Sequence, residues 1–233
     1  MRNPILVALD VPTAETALSV ARDLAPVVGG FKIGSQLFSS AGPEIVRSIR
    51  ALDRQVFLDL KFHDIPNTVA KAVESATRLG VHMLTIHTSG GSDMMRAAED
   101  AAQKTALQSG SAPLVLGVTV LTSMDGQTLS EIGCENNVAR QVERLALLAV
   151  RAGLRGLVCS PLEITALRQL CPEGIQLVTP GIRSGTEKAD DQRRTLTAQE
   201  AISAGADWLV IGRPIYAAKN PRAAAEEILR SLS

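Results

Sequence analysis

Residues 56–87 read VFLDLKFHDIPNTVAKAVESATRLGVHMLTIH, and two periodicities follow one another in this stretch. The run 56–61 is short and apolar except for Asp59 and Lys61. A run of that length bounded by turn residues suits a strand buried on both faces. Asn67-Thr68 then opens a segment with Val69, Val73 and Ala76 on one helical face, and Gly80 is placed to close it. A second strand-like run, 83–87, completes one strand–helix–strand unit.

The unit recurs along the chain. Strands are expected at 5–9, 30–33, 56–61, 83–87, 114–119, 156–159, 176–179 and 208–211. Helix starts punctuate the intervals: Ser160-Pro161-Leu162-Glu163 is a capping box with proline at the first helical position, and Asn220-Pro221 opens the last helix similarly. Eight such units without a break in composition predict a closed (β/α)8 TIM barrel, α/β in class, as one domain over residues 1–233. The competing architecture is a doubly wound open sheet, which would carry a glycine-rich fingerprint after its first strand. Here that position reads Leu9-Asp10-Val11-Pro12.

Composition narrows the function classes. The chain has 233 residues, with 24 Lys+Arg balanced by 24 Asp+Glu, and 45% of it is apolar. A sizeable core is available, and a net charge of zero lacks the basic excess of nucleic-acid or membrane-surface binders. Four Phe, one Trp and one Tyr are too few for base-stacking platforms. Cys134, Cys159 and Cys171 are too few and too scattered for a disulfide framework or metal knuckle, and they fit a reducing compartment. The apolar run 5–9 stops at Asp10, short of a signal peptide's apolar region, and no stretch approaches a membrane span. A soluble cytoplasmic protein is expected, with no nucleic-acid or membrane partner.

In a barrel the active site lies where the strands end. Strand one ends at Asp10, strand two carries Lys32, and the two-residue period puts Asp59 and Lys61 on one face of strand three, with Asp64 just beyond. Such a cluster can be a structural ion network. However, burying several charges costs several kcal/mol per ion before pairing recovers any of it, so placement for chemistry is favoured. A lysine between carboxylates stays protonated and serves as a proton donor rather than as a Schiff-base nucleophile. A second set follows the last strands: Thr179-Pro180-Gly181-Ile182-Arg183 and Ile211-Gly212-Arg213-Pro214. Glycines that admit the backbone and arginines that fork onto oxygens make a phosphate grip there. The polar segment at about 183–194 reads as a mobile lid over that grip, with Gln192 reaching the anion.

The string Asp-Leu-Lys-Phe-His-Asp-Ile-Pro-Asn-Thr from Asp59 to Thr68 resembles the signature of the orotidine 5′-phosphate decarboxylase family. The likeness extends through Ala8-Leu9-Asp10, Phe31-Lys32-Ile33-Gly34, Val120-Leu121-Thr122-Ser123, Pro180-Gly181-Ile182-Arg183, Asp191-Gln192-x-Arg194 and Gly212-Arg213. It implies cofactor-free, metal-free decarboxylation of orotidine monophosphate to uridine monophosphate, the last step of de novo pyrimidine nucleotide synthesis. Carried over by position, Lys61 protonates the C6 carbanion, Asp59 lies near the departing carboxylate, and Lys32, Asp59, Lys61 and Asp64 form the charged network. Asp10 and Lys32 would bind the ribose hydroxyls, Thr122 and Ser123 the pyrimidine, and Arg183, Gln192, Gly212 and Arg213 the phosphate. The resemblance also implies a homodimer in which Asp64 and Thr68 enter the neighbouring subunit's site. From the sequence alone, Thr68 reads as a helix N-cap.

Two other functions fit parts of the pattern. A metal-dependent phosphosugar decarboxylase or epimerase of the same superfamily would use His63, Asp64 and His87 with Asp59 as ligands, though Lys32 and Lys61 would repel a cation there. His87 reads more simply as a turn residue and His82 as a helix-end or strand-start residue. A non-catalytic nucleotide-phosphate sensor would have no need of a proton donor facing its ligand. Cys159 is expected in strand six as a buried apolar filler.

Overall fold

The computed structural model describes residues 3–183 and 195–232. Eight parallel strands close into one barrel in sequence order: β1 (Ile5–Ala8), β2 (Gly30–Gly34), β3 (Gln55–Phe62), β4 (Met83–His87), β5 (Leu114–Val118), β6 (Gly156–Val158), β7 (Gln176–Thr179) and β8 (Trp208–Ile211). β1 pairs with β2 on one side and with β8 on the other, which closes the ring. The expected strands are all present, with ends displaced by a residue in several cases. β6, for example, stops at Val158, leaving Cys159 just beyond it.

Helices fill the intervals: α1 (Ala14–Leu24), α2 (Ser35–Ala41), α3 (Glu44–Arg50), α4 (Pro66–Arg78), α5 (Gly91–Ser109) and α6 (Gly126–Glu131). They continue with α7 (Val138–Arg151), α8 (Ile164–Leu170), α9 (Ala198–Ala204), α10 (Arg213–Tyr216) and α11 (Pro221–Ser231). Among the described residues, no helix is long and apolar enough to cross a membrane.

The pleat sorts side chains into two cores. Ile5, Val7, Phe31, Ile33, Val56 and Leu58 point outward and pack beneath the helices. Leu6, Ala8, Phe57, Met83, Leu116, Val178, Trp208 and Val210 fill the barrel interior. The inward parity is therefore Leu6-Ala8 on β1, Phe57 on β3 and Trp208-Val210 on β8. Extended by two residues toward the strand ends, it reaches Asp10, Asp59 and Gly212. Low in the barrel, Trp208 Nε1 donates to Gln176 Oε1 at 2.9 Å, so the indole's one polar atom is satisfied.

Helix punctuation follows the sequence with one correction. Gly80 has φ +75 just past the end of α4, and the Asn220 side chain accepts from Ala223 N at 3.0 Å ahead of Pro221. Ser160 N donates to Glu163 Oε2 at 2.9 Å, and residues Pro161–Glu163 form a 3-10 turn leading into α8. Thr68 is not an N-cap. α4 starts at Pro66, whose locked φ and absent N–H suit the first helical position, so Ile65 occupies the cap and Thr68 lies inside the first turn.

Gly30 sets the spacing between β2 and β3. A Cβ there would lie 2.5 Å from the Gln55 carbonyl oxygen, the residue's register partner on β3. Gly30→Ala should therefore lower stability by about 1–3 kcal/mol, read as a reduced urea midpoint for loss of helical circular dichroism. An unchanged midpoint would show that the two strands can spread at no cost.

Candidate active site

Four charges of alternating sign meet at the strand ends. Lys32 Nζ donates to Asp10 Oδ1 at 2.8 Å and lies 3.9 Å from Asp59 Oδ2. Lys61 Nζ sits 2.9 Å from both carboxylate oxygens of Asp59. The side chains of Lys32 and Asp59 are only 11% and 12% exposed, while Lys61 is 35% and Asp10 46% exposed. The sequence Asp10–Lys32–Asp59–Lys61 thus has a buried middle and two ends open to solvent. Each interior charge has an opposite neighbour on both sides, which offsets the desolvation that would otherwise disfavour it. Gly34 helps to make the room, since a Cβ there would lie 3.1 Å from Lys32 Nζ and 3.2 Å from Asp10 Oδ1.

Lys61 does not sit on a regular strand. Its φ is +53, and the pairing of β3 with β4 changes register between Leu58 and Phe62. A left-handed residue that is not glycine costs roughly 1–2 kcal/mol, so its surroundings must hold it. Thr85, in the middle of β4 and fully buried, supplies part of that hold. Its Oγ1 accepts from Lys61 N at 2.9 Å and donates to Asp59 Oδ1 at 2.9 Å.

Asp64 and Thr68 lie outside this cluster. Both are exposed, and Asp64 Oδ1 accepts from the adjacent Ile65 N at 2.7 Å. His63 and His87 face each other with ring centroids 5.4 Å apart. Among the described residues, no three or more His, Cys, Asp or Glu side chains converge as a metal site. His82 belongs to the opposite end of β4, where Nδ1 accepts from Val56 N at 3.1 Å and Nε2 lies 3.0 Å from Arg50 Nη1.

The cluster opens into a cavity of about 320 Å³ at the C-terminal mouth of the barrel. Thr122 and Ser123, after β5, line it together with Arg183, Gly212 and Arg213. Arg213 begins α10, with Gly212 as the preceding cap, so a glycine, an arginine and a helix start coincide after β8. Gly181 takes φ +82 after β7, and beyond it Arg183 N donates to Leu196 O at 3.0 Å. Gln192 and Arg194, with most of the segment 183–194, lie outside the described residues. The cavity therefore joins an end of alternating Asp and Lys charges to an arginine-bearing end, a combination that could take a small phosphorylated molecule.

Several contributors escaped the sequence reading. Thr85 is one, and its signal was a polar residue at inward parity in the apolar run Met83–His87. Tyr216 on α10 also lines the cavity; burial, followed by the nearby Asp10 carboxylate, pushes its phenol above the usual value. Cys159 lines the cavity wall while 1% exposed, and burial pushes its thiol up to about 12, as expected of an inert filler.

Burial, followed by His63 and Lys61, holds the His87 imidazole below its ordinary value of 6.5. The unfolded chain therefore binds a proton there at a pH where the fold does not, and stability contributed by the neutral ring is lost as pH falls below 6.5. His87→Gln should flatten the decline in urea midpoint between about pH 7 and about pH 5. An equally steep decline in the variant would assign the acid sensitivity to other groups.

Comparison with known proteins places the chain in a family. Residues 3–228 match the model of the "Orotidine 5'-phosphate decarboxylase / HUMPS family". The chain is 51% identical to the orotidine 5'-phosphate decarboxylase of Opitutus terrae and 50% identical to that of Pseudomonas fluorescens strain Pf0-1, covering 100% of this chain and 99% and 98% of those proteins. The fold superposes on the crystal structure of orotidine 5'-phosphate decarboxylase from Lactobacillus acidophilus with a TM-score of 0.87 and 34% identity, over 99% of each chain. By the match of its whole barrel and half of its residues, the chain belongs to the orotidine 5'-phosphate decarboxylase / HUMPS family.

Proposed function

We propose that this protein converts orotidine 5′-monophosphate to uridine 5′-monophosphate and carbon dioxide without a cofactor, closing de novo pyrimidine nucleotide synthesis. The observation that carries the reading is the Lys61 ammonium, fixed on both Asp59 oxygens at 2.9 Å and facing a cavity whose far end bears Arg183 and Arg213. In the reaction the bond from pyrimidine C6 to the carboxylate breaks and its electron pair stays on C6. Lys61 Nζ delivers the proton that forms the new C6–H bond, and water later restores the ammonium. Asp59 fixes that ammonium and stands beside the departing carboxylate, while Lys32 lies 3.9 Å from Asp59 Oδ2 on the other side. Preorganised charge of this kind needs no reorganisation as the carbanion develops.

Substrate contacts follow the lining. Asp10 and Lys32 bind the ribose hydroxyls, Thr122 and Ser123 the pyrimidine edge, and Arg183, Gly212 and Arg213 the phosphate, while Gln192, outside the described residues, is proposed as a further phosphate contact. Binding energy from the phosphate end serves the transition state at C6. Asp64 and Thr68, exposed on the single chain, suit a homodimer in which each subunit lends them to its neighbour's cavity. A cytoplasmic location goes with this biosynthetic role.

The purified, EDTA-treated protein should consume orotidine monophosphate in an absorbance assay. Loss of turnover on chelation, with recovery on adding metal, would favour the metal-dependent branch of the superfamily instead. Lys61→Ala should keep the circular dichroism of the wild type while kcat falls by about a thousandfold or more. Near-normal turnover would remove Lys61 from the donor role. Arg213→Ala should lower kcat/KM by about tenfold to a hundredfold for the phosphorylated substrate but leave unphosphorylated orotidine unaffected. Equal losses on both would contradict the phosphate assignment.

A further inference from the structure

We propose that Thr85 is a positioning residue for the proton-donating ammonium of Lys61, acting on that lysine at both of its ends. The inference rests on the decarboxylase reading above. Thr85 is fully buried on β4 at the same inward parity as Met83, one step closer to the cavity. It touches no cavity space itself, so its effect passes through its two partners.

The hydrogen-bond pattern fixes the direction of its single proton. Lys61 N–H donates to Thr85 Oγ1 at 2.9 Å, which leaves the hydroxyl hydrogen for Asp59 Oδ1, also at 2.9 Å. Asp59 Oδ1 in turn receives Lys61 Nζ at 2.9 Å. One hydroxyl thus closes a ring from the Lys61 main chain, through Thr85 and Asp59, to the Lys61 ammonium. The main-chain bond falls where β3 departs from its register with β4 and Lys61 takes φ +53. A side-chain oxygen there pairs the Lys61 amide at the point where the ladder is interrupted. The bond to Asp59 limits rotation of the carboxylate and so aims both of the oxygens that grip the ammonium. A proton donor displaced by about 1 Å can lose a hundredfold in rate, and Thr85 opposes that displacement from two directions.

Thr85→Val preserves shape and removes both bonds. It should lower kcat by about tenfold to a hundredfold, with KM and the affinity for uridine monophosphate within about threefold of wild type, because the groups proposed to bind base, ribose and phosphate are elsewhere. Thr85→Ser and Thr85→Ala provide a second comparison if the valine variant folds poorly. Both lack the methyl group, and only serine keeps the hydroxyl, so serine should recover most of the kcat that alanine loses. The inference falls if valine or alanine retains kcat within about threefold, if serine loses as much as alanine, or if the loss lies in KM and product affinity alone. Wild-type protein that turns over orotidine monophosphate while any of these holds would overturn the role of Thr85 only. Wild-type protein with no turnover would bring down the decarboxylase reading and this inference together.

Discussion

The Asp59 carboxylate sits at the middle of the site, and the neighbouring strands each contribute a partner to it. A carboxylate with 12% of its side chain exposed needs partners in place of the water it gives up. Here its two oxygens face two ammonium groups and a hydroxyl: Lys61 at 2.9 Å on both, Lys32 at 3.9 Å on one, and Thr85 at 2.9 Å on the other. Those partners come from β2, β3 and β4, neighbouring staves of the barrel, and the register change between β3 and β4 falls at their level. Removing any one partner would leave a buried charge less well compensated.

The barrel positions this cluster through parity rather than through loops. The interior core lower down is apolar apart from the Gln176 amide that pairs with Trp208, and charged side chains enter at the same parity toward the C-terminal ends of β1 to β3. That change of character was legible in the sequence, because the two-residue period of a strand relates Asp59 to Phe57 and Asp10 to Ala8 with no knowledge of the fold. The eight strands were legible for a similar reason: each is a short apolar run flanked by helix starts or glycines.

What the sequence did not reveal were departures from regular geometry. No local pattern marks Lys61 as left-handed, since lysine has no preference for that conformation and the cause lies across the sheet in Thr85 and the β3–β4 register change. Thr68 misled for a related reason. Its residue type favours capping, but Pro66 starts the helix earlier because proline loses nothing at that position. Thr85 itself resembled an ordinary β-branched strand residue.

Closure of the barrel between β1 and β8 has a temporal consequence for a chain made from one end to the other. The charged cluster is encoded by β1 to β3, yet the wall bearing Gly212 and Arg213 follows β8, the last strand to be synthesised. Until β8 leaves the ribosome, β1 has an unpaired edge and the four charges at its mouth face water instead of a cavity. A nascent chain that stops short of β8 therefore holds every residue of the charged cluster but lacks part of the cavity wall. Closure of the ring and completion of the cavity wall depend on the same strand, so a molecule that filled the whole cavity would favour chains that have closed the ring.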